Sequence, residues 1–212
     1  MRRVAMAFIA ATVGTAVLAG TAQAATLTVT PNKACYLGGD QATLNGSGFT
    51  PNGQVNATFA GLSGVFSADA SGVMQPLTLT FPGVKGVKTL TATVTDATNP
   101  AITASLNLTT TRLHVDVNPT HAKAGKKLRV KGYGFLGGKK VFMHVRGPHH
   151  YKSDTKIART TAPCGTFRTH RKIVPAGARP GRYNVRFDAK KKFSRKTRPQ
   201  VSGTLTVTRT FG

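Results

Sequence analysis

The 212-residue chain contains no glutamate and no tryptophan, and its only acidic side chains are Asp40, Asp69, Asp96, Asp116, Asp154 and Asp188. Scattered aspartates without any glutamate argue against a paired-carboxylate acid/base site. No Asp-x-Asp-x-Asp run gathers oxygen ligands for calcium. No Gly-x-Ser-x-Gly elbow and no Walker loop occurs. The expectation is a protein that is not an enzyme and carries no cofactor. Long helical patterns are also missing. After Ala24 no stretch places apolar residues at i, i+3, i+4 and i+7 beyond two turns. Cysteine is nearly absent, with Cys35 and Cys164 alone.

What the chain has in excess is positive charge, unevenly placed. Residues 111–212 hold 25 Lys and Arg against three Asp, whereas residues 25–110 hold three Lys against three Asp. Nearly all of the formal charge of +24 therefore sits on the second half. A high positive charge density attracts polyanions without naming one of them. A basic proteome would raise the charge of both halves, and the neutral first half argues against that explanation.

Met1–Ala24 reads as a secretory signal peptide. Arg2 and Arg3 form the positive start, Val4 to Gly20 the apolar run, and Ala22-Gln23-Ala24 a small-x-small cleavage site. The run is slightly short for a membrane span, so no transmembrane anchor is expected. The mature chain should be secreted, extracellular or associated with the cell envelope.

The rest repeats. Asn45-Gly46-Ser47-Gly48-Phe49 matches Lys131-Gly132-Tyr133-Gly134-Phe135 at an offset of 86, as Leu27-Thr28-Val29 matches Leu113-His114-Val115. Ser71-Gly72 matches Cys164-Gly165 at 93, so the second copy has a longer loop around Gly147 to Asp154. Asp96 and Asp188 are taken to end matching strands. Each copy yields about seven short alternating runs separated by Gly, Pro, Asn and Asp, which suggests a β-sandwich. Alternation points Leu128, Val130, Val141, Met143, Val145, Tyr183, Val185 and Phe187 inward. It points Lys127, Arg129, Lys131, His144, Arg146 and Arg186 outward.

The Gly-Ser-Gly-Phe and Gly-Tyr-Gly-Phe elements, the later Ser-Gly and Cys-Gly turns, and the run Pro175 to Tyr183 to Val185 resemble bacterial secreted immunoglobulin-like repeats of the IPT/TIG type. The resemblance implies an all-β chain of two tandem immunoglobulin-like β-sandwich domains after a signal peptide. The divisions are 1–24, a neutral module 25–110 and a strongly basic module 111–212. Such modules serve as spacers, adhesins and carbohydrate binders, and the resemblance supplies no catalytic residue. Phe49 and Phe135 read as plugs of the sandwich ends, with a ligand-facing aromatic as the competing reading.

The expected contact with an anionic polymer of the cell envelope or extracellular matrix falls on Lys127, Arg129, Lys131, Arg146, Arg186, Lys190, Lys191, Lys192, Phe193, Arg195, Lys196 and Arg198. Phe193 lies among six cations. It either stacks on bases or sugars or packs back on the sandwich. Charge on both faces argues against one groove shaped for a duplex and leaves nucleic acid as a non-specific partner. Protein partners would use the first module or the sheet edges. All six histidines lie in the second half. His149-His150 diverge on an extended chain, so a polar loop is expected there and no metal site, with a weak transition-metal site as the rival. Cys35 and Cys164 both fall at ends facing the junction, so export predicts an inter-module disulfide. The rivals are two free thiols and an intermolecular bridge.

Overall fold

The computed structural model describes residues 24–136 and 139–209. The proposed signal peptide therefore lies outside the described residues, apart from Ala24. The described residues are strands and turns without an α-helix, as alternating Thr- and Val-rich runs bounded by Gly and Pro require.

The first half forms β1 (Thr26–Thr30), β2 (Tyr36–Leu37), β3 (Gln41–Ser47), β4 (Gln54–Phe59), β5 (Leu62–Ser67), β6 (Leu77–Thr80), β7 (Val87–Asp96) and β8 (Thr103–Thr111). The second half forms β9 (His114–Asn118), β10 (His121–Lys123), β11 (Lys127–Tyr133), β12 (Lys140–Arg146), β13 (Lys152–Arg159), β14 (Phe167–Lys172), β15 (Gly181–Asp188) and β16 (Gln200–Thr208). In the first half a three-stranded sheet β1-β3-β6 accompanies a five-stranded sheet β2-β8-β7-β4-β5. The second half repeats this as β9-β11-β14 and β10-β16-β15-β12-β13. The chain is thus two tandem all-β units resembling β-sandwich repeats.

Each half has eight strands where alternation predicts seven. The extra ones are β2 and β10, two and three residues long, and each follows a cis X-Pro bond, Thr30-Pro31 or Asn118-Pro119. There the first strand leaves the small sheet and pairs in parallel with the last strand of the large one. Segments this short carry no readable period.

Two separate clusters make up the cores. Leu44, Phe49, Val55, Phe81 and Val94 centre the first; Leu128, Val130, Phe135, Val141, Tyr183 and Phe187 centre the second. Phe49 and Phe135 are buried at 4% and 2% exposure, which decides for the plug reading. The repeated glycines seat these rings. A β-carbon at Gly46 would strike the Phe49 ring, and one at Gly132 the Phe167 ring that meets Phe135 edge-on. Gly72 and Gly165 have left-handed φ of 74° and 60°. A β-carbon on either would collide with the carbonyl of Phe49 or Phe135.

Asp96 and Asp188 end the matching strands β7 and β15, as expected, but register turns them to opposite faces. Asp96 stands opposite Val55, on the inward side of β7, while Asp188 stands opposite Phe142, on the outward side of β15. The two aspartates are not equivalents. Asp96 accepts backbone N–H donors of Thr50, Thr98 and Asn99 and ties two loops together. Burial pushes its pKa up, but these hydrogen bonds outweigh it and hold the carboxyl below its ordinary value.

Between the halves, Cys35 and Cys164 are disulfide-bonded, with Cα atoms 5.3 Å apart and a sequence separation of 129. Lys85 of the first half also reaches Asp116 of the second at 2.9 Å.

Candidate cationic binding surface

The cations picked out from the sequence fall in two places. The first is the outer face of the β9-β11-β14 sheet. Lys127, Arg129 and Lys131 alternate outward along β11, because Leu128 and Val130 are taken up by the core. Antiparallel pairing sets β14 beside them in register. Lys127 lies opposite Lys172, Arg129 opposite His170, and Lys131 opposite Arg168. Three successive rungs therefore put basic side chains side by side. The same rungs in the first half are neutral: Gln41 opposite Thr80 and Thr43 opposite Thr78. Like charges directly opposite on a sheet destabilise it.

On the far side of β11, Asp116 lies opposite Lys131, yet its carboxylate is held by Lys85 at 2.9 Å and His114 at 3.0 Å. Burial raises the pKa of Asp116, and the Lys85 and His114 hydrogen bonds bring it below its usual value. No rung cation has a carboxylate within salt-bridge distance among the described residues.

The second place is the outer face of the five-stranded sheet, where the connection 189–199 between β15 and β16 folds over β12. His144 lies at its centre, flanked in register by Asp154 on β13 and Arg186 on β15. His144 Nδ1 faces Asp154 Oδ1 at 2.9 Å and Nε2 faces Asp188 Oδ1 at 3.1 Å. Both ring nitrogens of His144 thus face carboxylate oxygens. Arg146 donates to Asp154 Oδ1 at 2.7 Å, and Asp188 Oδ1 accepts the Lys190 N–H at 2.8 Å. The Arg146 hydrogen bond is the main cause that lowers the Asp154 pKa; partial burial works against it, and His144 adds to the lowering.

Phe193 closes this face. Its ring meets His144 edge-on at 5.6 Å, with the Arg146 guanidinium 4.4 Å and that of Arg186 5.1 Å from its centroid. This decides for the packed-back reading of Phe193. Two further expectations change with it. His144 and Arg186 do point to the outer face, but the connection covers them, leaving 0% and 8% exposed. Arg186 donates to the carbonyls of Ser194 and Thr197 and holds the connection down. It is therefore withdrawn from the polymer-contacting set. Lys190, Lys191, Lys192, Arg195, Lys196 and Arg198 remain exposed around the rim, and an open cleft beside Phe193 is lined by Arg146, Lys152, Lys191, Lys192 and Arg195 together with Asp154.

Sequence reasoning missed Arg168, His170 and Lys172 as members of the surface. The signal was present in the alternation of Phe167-Arg-Thr-His-Arg-Lys172, but only the pairing register shows them opposite the β11 cations. His149 and His150 sit in a turn with left-handed φ of 52° and 60°, and His149 faces Arg179. Among the described residues no group of three or more His, Cys, Asp or Glu could hold a metal ion. No helix among them is long and apolar enough to cross a membrane.

No protein-family model and no curated protein sequence matches the chain. Similar solved structures include a tetra-tandem repeat from the extending region of a large adhesion protein, at 19% identity and a TM-score of 0.35, covering 87% of this chain and 49% of that one. The Yersinia pseudotuberculosis adhesin InvE is 14% identical with a TM-score of 0.36, over 86% of this chain and 58% of the other. Red sea bream transglutaminase is 12% identical with a TM-score of 0.33, over 87% and 31%. The chain spans less than two thirds of each. Adhesins and an enzyme stand side by side at this level of likeness.

Proposed function

We propose that the chain is a secreted, non-enzymatic adhesive protein built from two immunoglobulin-like modules, 25–110 and 111–212, whose second module holds an anionic polymer of the envelope or extracellular matrix. The observation that carries this reading is the set of in-register basic rungs on β11 and β14. Such rungs repel one another, and a bound polyanion relieves the repulsion while releasing its own counterions. The immunoglobulin-like assignment rests on the sheet orders and on Tyr183. This residue lies near the start of β15 and donates its hydroxyl hydrogen to the Arg179 carbonyl at 2.8 Å, four residues upstream, as the tyrosine corner of that fold does. The neutral first module serves as spacer.

The test is retention of the full mature chain on an immobilised polyanion across a salt gradient. The expected result is a linear, steep fall of log affinity with log salt. Retention that does not respond to salt would refute the reading.

A second reading has its own observation. The edge strand β5 exposes Leu62 at 75% and Val65 at 61%, beside an apolar cleft lined by Phe59, Phe66, Leu77 and Leu79. Unprotected edges recruit other strands, so module one would assemble with protein partners. Leu62→Lys with Val65→Lys should abolish salt-insensitive self- or partner association and leave polyanion retention intact.

A further inference from the structure

We propose that the β11/β14 rungs form a binding track for a linear polymer of alditol phosphates, one phosphodiester per rung. The proposal rests on the polyanion reading and adds a site and a ligand chemistry to it.

Spacing carries the argument. Outward residues on one strand recur every two positions, at about 6.8 Å. Two extended residues span about six backbone bonds. Neighbouring phosphorus atoms in a glycerol-phosphate chain are joined by the same count of bonds, through two ester oxygens and a three-carbon alcohol. An extended chain laid along β11 therefore meets a new phosphate at each new rung. Across the track, the two basic residues of a rung have Cβ atoms roughly 5 Å apart, so their heads converge on one phosphate from both sides. The rungs are Lys127 with Lys172, Arg129 with His170, and Lys131 with Arg168. Each phosphodiester has one negative charge, and each rung has at least one fixed positive charge to meet it.

Two features favour an alditol phosphate over a single-stranded nucleic acid with the same phosphate spacing. Non-specific single-strand sites interleave cations with aromatic platforms for the bases. The three rungs hold no Phe, Tyr or Trp, and Tyr133, the next outward residue of β11, stands one position beyond the last of them, opposite His114. Phe193, the aromatic among the most concentrated cations, is occupied by His144 and two guanidinium groups.

The test uses the mature chain and four probes of similar length: poly(glycerol phosphate), inorganic polyphosphate, dextran sulfate and oligo-dT. One variant takes on the neutral residues that occupy the same positions in the first half, Lys127→Gln, Arg129→Thr and Lys131→Asn. A second, Lys191→Gln with Lys192→Gln and Lys196→Gln, removes as many charges from the 189–199 connection. The track variant should fold and should melt no lower than the parent at low salt, because it loses like-charge repulsion.

The track variant is expected to lose tenfold or more in affinity for poly(glycerol phosphate), with a salt slope shallower by about 2, and to lose less for polyphosphate and dextran sulfate. The connection variant should weaken all four probes by one modest factor. Equal losses for every probe in the track variant, or a larger loss of poly(glycerol phosphate) in the connection variant, would overturn the track while the polyanion reading stands. Oligo-dT bound as tightly as poly(glycerol phosphate) would overturn the alditol assignment. A parent chain that binds none of the probes at low salt would overturn the polyanion reading itself.

Discussion

Removing the Asp188 carboxylate tests whether the covered face of the second unit is a fastening. Asp188 is fully buried and touches three groups. Its Oδ1 accepts from Lys190 N–H and faces His144 Nε2, while its Oδ2 lies 3.5 Å from Arg186 Nε, and neither of those last two atoms has another hydrogen-bond partner. Asp188→Ala leaves His144 and Arg186 buried with their shared anion gone. Breaking a buried charged pair from one side costs about 3–5 kcal/mol. Asp188→Asn keeps an acceptor for Lys190 and loses the charge, so its cost should be nearer 1–3 kcal/mol.

The chain has no tryptophan, and the two units need not unfold together. Native-state hydrogen exchange on β12 and β15, with the disulfide intact, is therefore the suitable assay. Protection there should fall in the order parent, Asn, Ala, while β4 and β7 of the first unit keep theirs. An alanine variant within about 1 kcal/mol of the parent on β12 and β15 would refute the fastening.

Phe193→Ala removes the ring between two guanidinium groups, worth about 1–2 kcal/mol to the connection, and trypsin should then cut at Lys190 to Arg198 several-fold faster. Asp40, Asp96, Asp116 and Asp154 all have lowered pKa values in the folded chain. Their contribution is thus full above the unfolded carboxylate value and is lost as pH falls through the folded values. Thermal midpoints should hold from neutrality down to about pH 4 and drop below it, and Asp154→Asn should lessen that drop. Replacing both cysteines by serine opens a loop of 129 residues, which lowers total unfolding free energy by about 5 kcal/mol on the chain-entropy account. Guanidinium titration with and without the bond measures it, and small-angle scattering should show a wider spread of inter-unit angles.

Much of the strand pattern was legible because Thr, Val and Leu alternate without interruption, as in Leu128 and Val130 between Lys127, Arg129 and Lys131. The Gly-x-Gly-Phe elements were legible because a glycine that seats a ring leaves a fixed trace. The site was less so. Alternation tells which side of a sheet a residue faces and not what lies over that side, so His144 and Arg186 read as solvent-facing. Register is a property of two strands together, and for that reason Lys172, His170 and Arg168 could not be placed beside β11 from either segment alone. Asp96 and Asp188 do end the matching strands β7 and β15, yet only register shows them on opposite faces, since a one-residue shift moves a side chain through the sheet.

The bond from Cys35 to Cys164 also determines how the molecule bears a load. Suppose one surface holds the chain near β1 and another pulls beyond β16. Tension enters at β1, crosses at Cys35 to Cys164, and leaves through β14 to β16, so the covalent path skips the interval between the cysteines, whose sequence separation is 129. At roughly 3.5 Å per residue, about 450 Å of chain cannot be drawn out while the bond lasts. Most strands of the first unit, and the β11 strand of the second, lie inside the skipped interval. Under such a pull, only the segments outside the interval, β1 and β14 to β16, can be drawn out while the bond lasts, and the rest follows only when it is reduced.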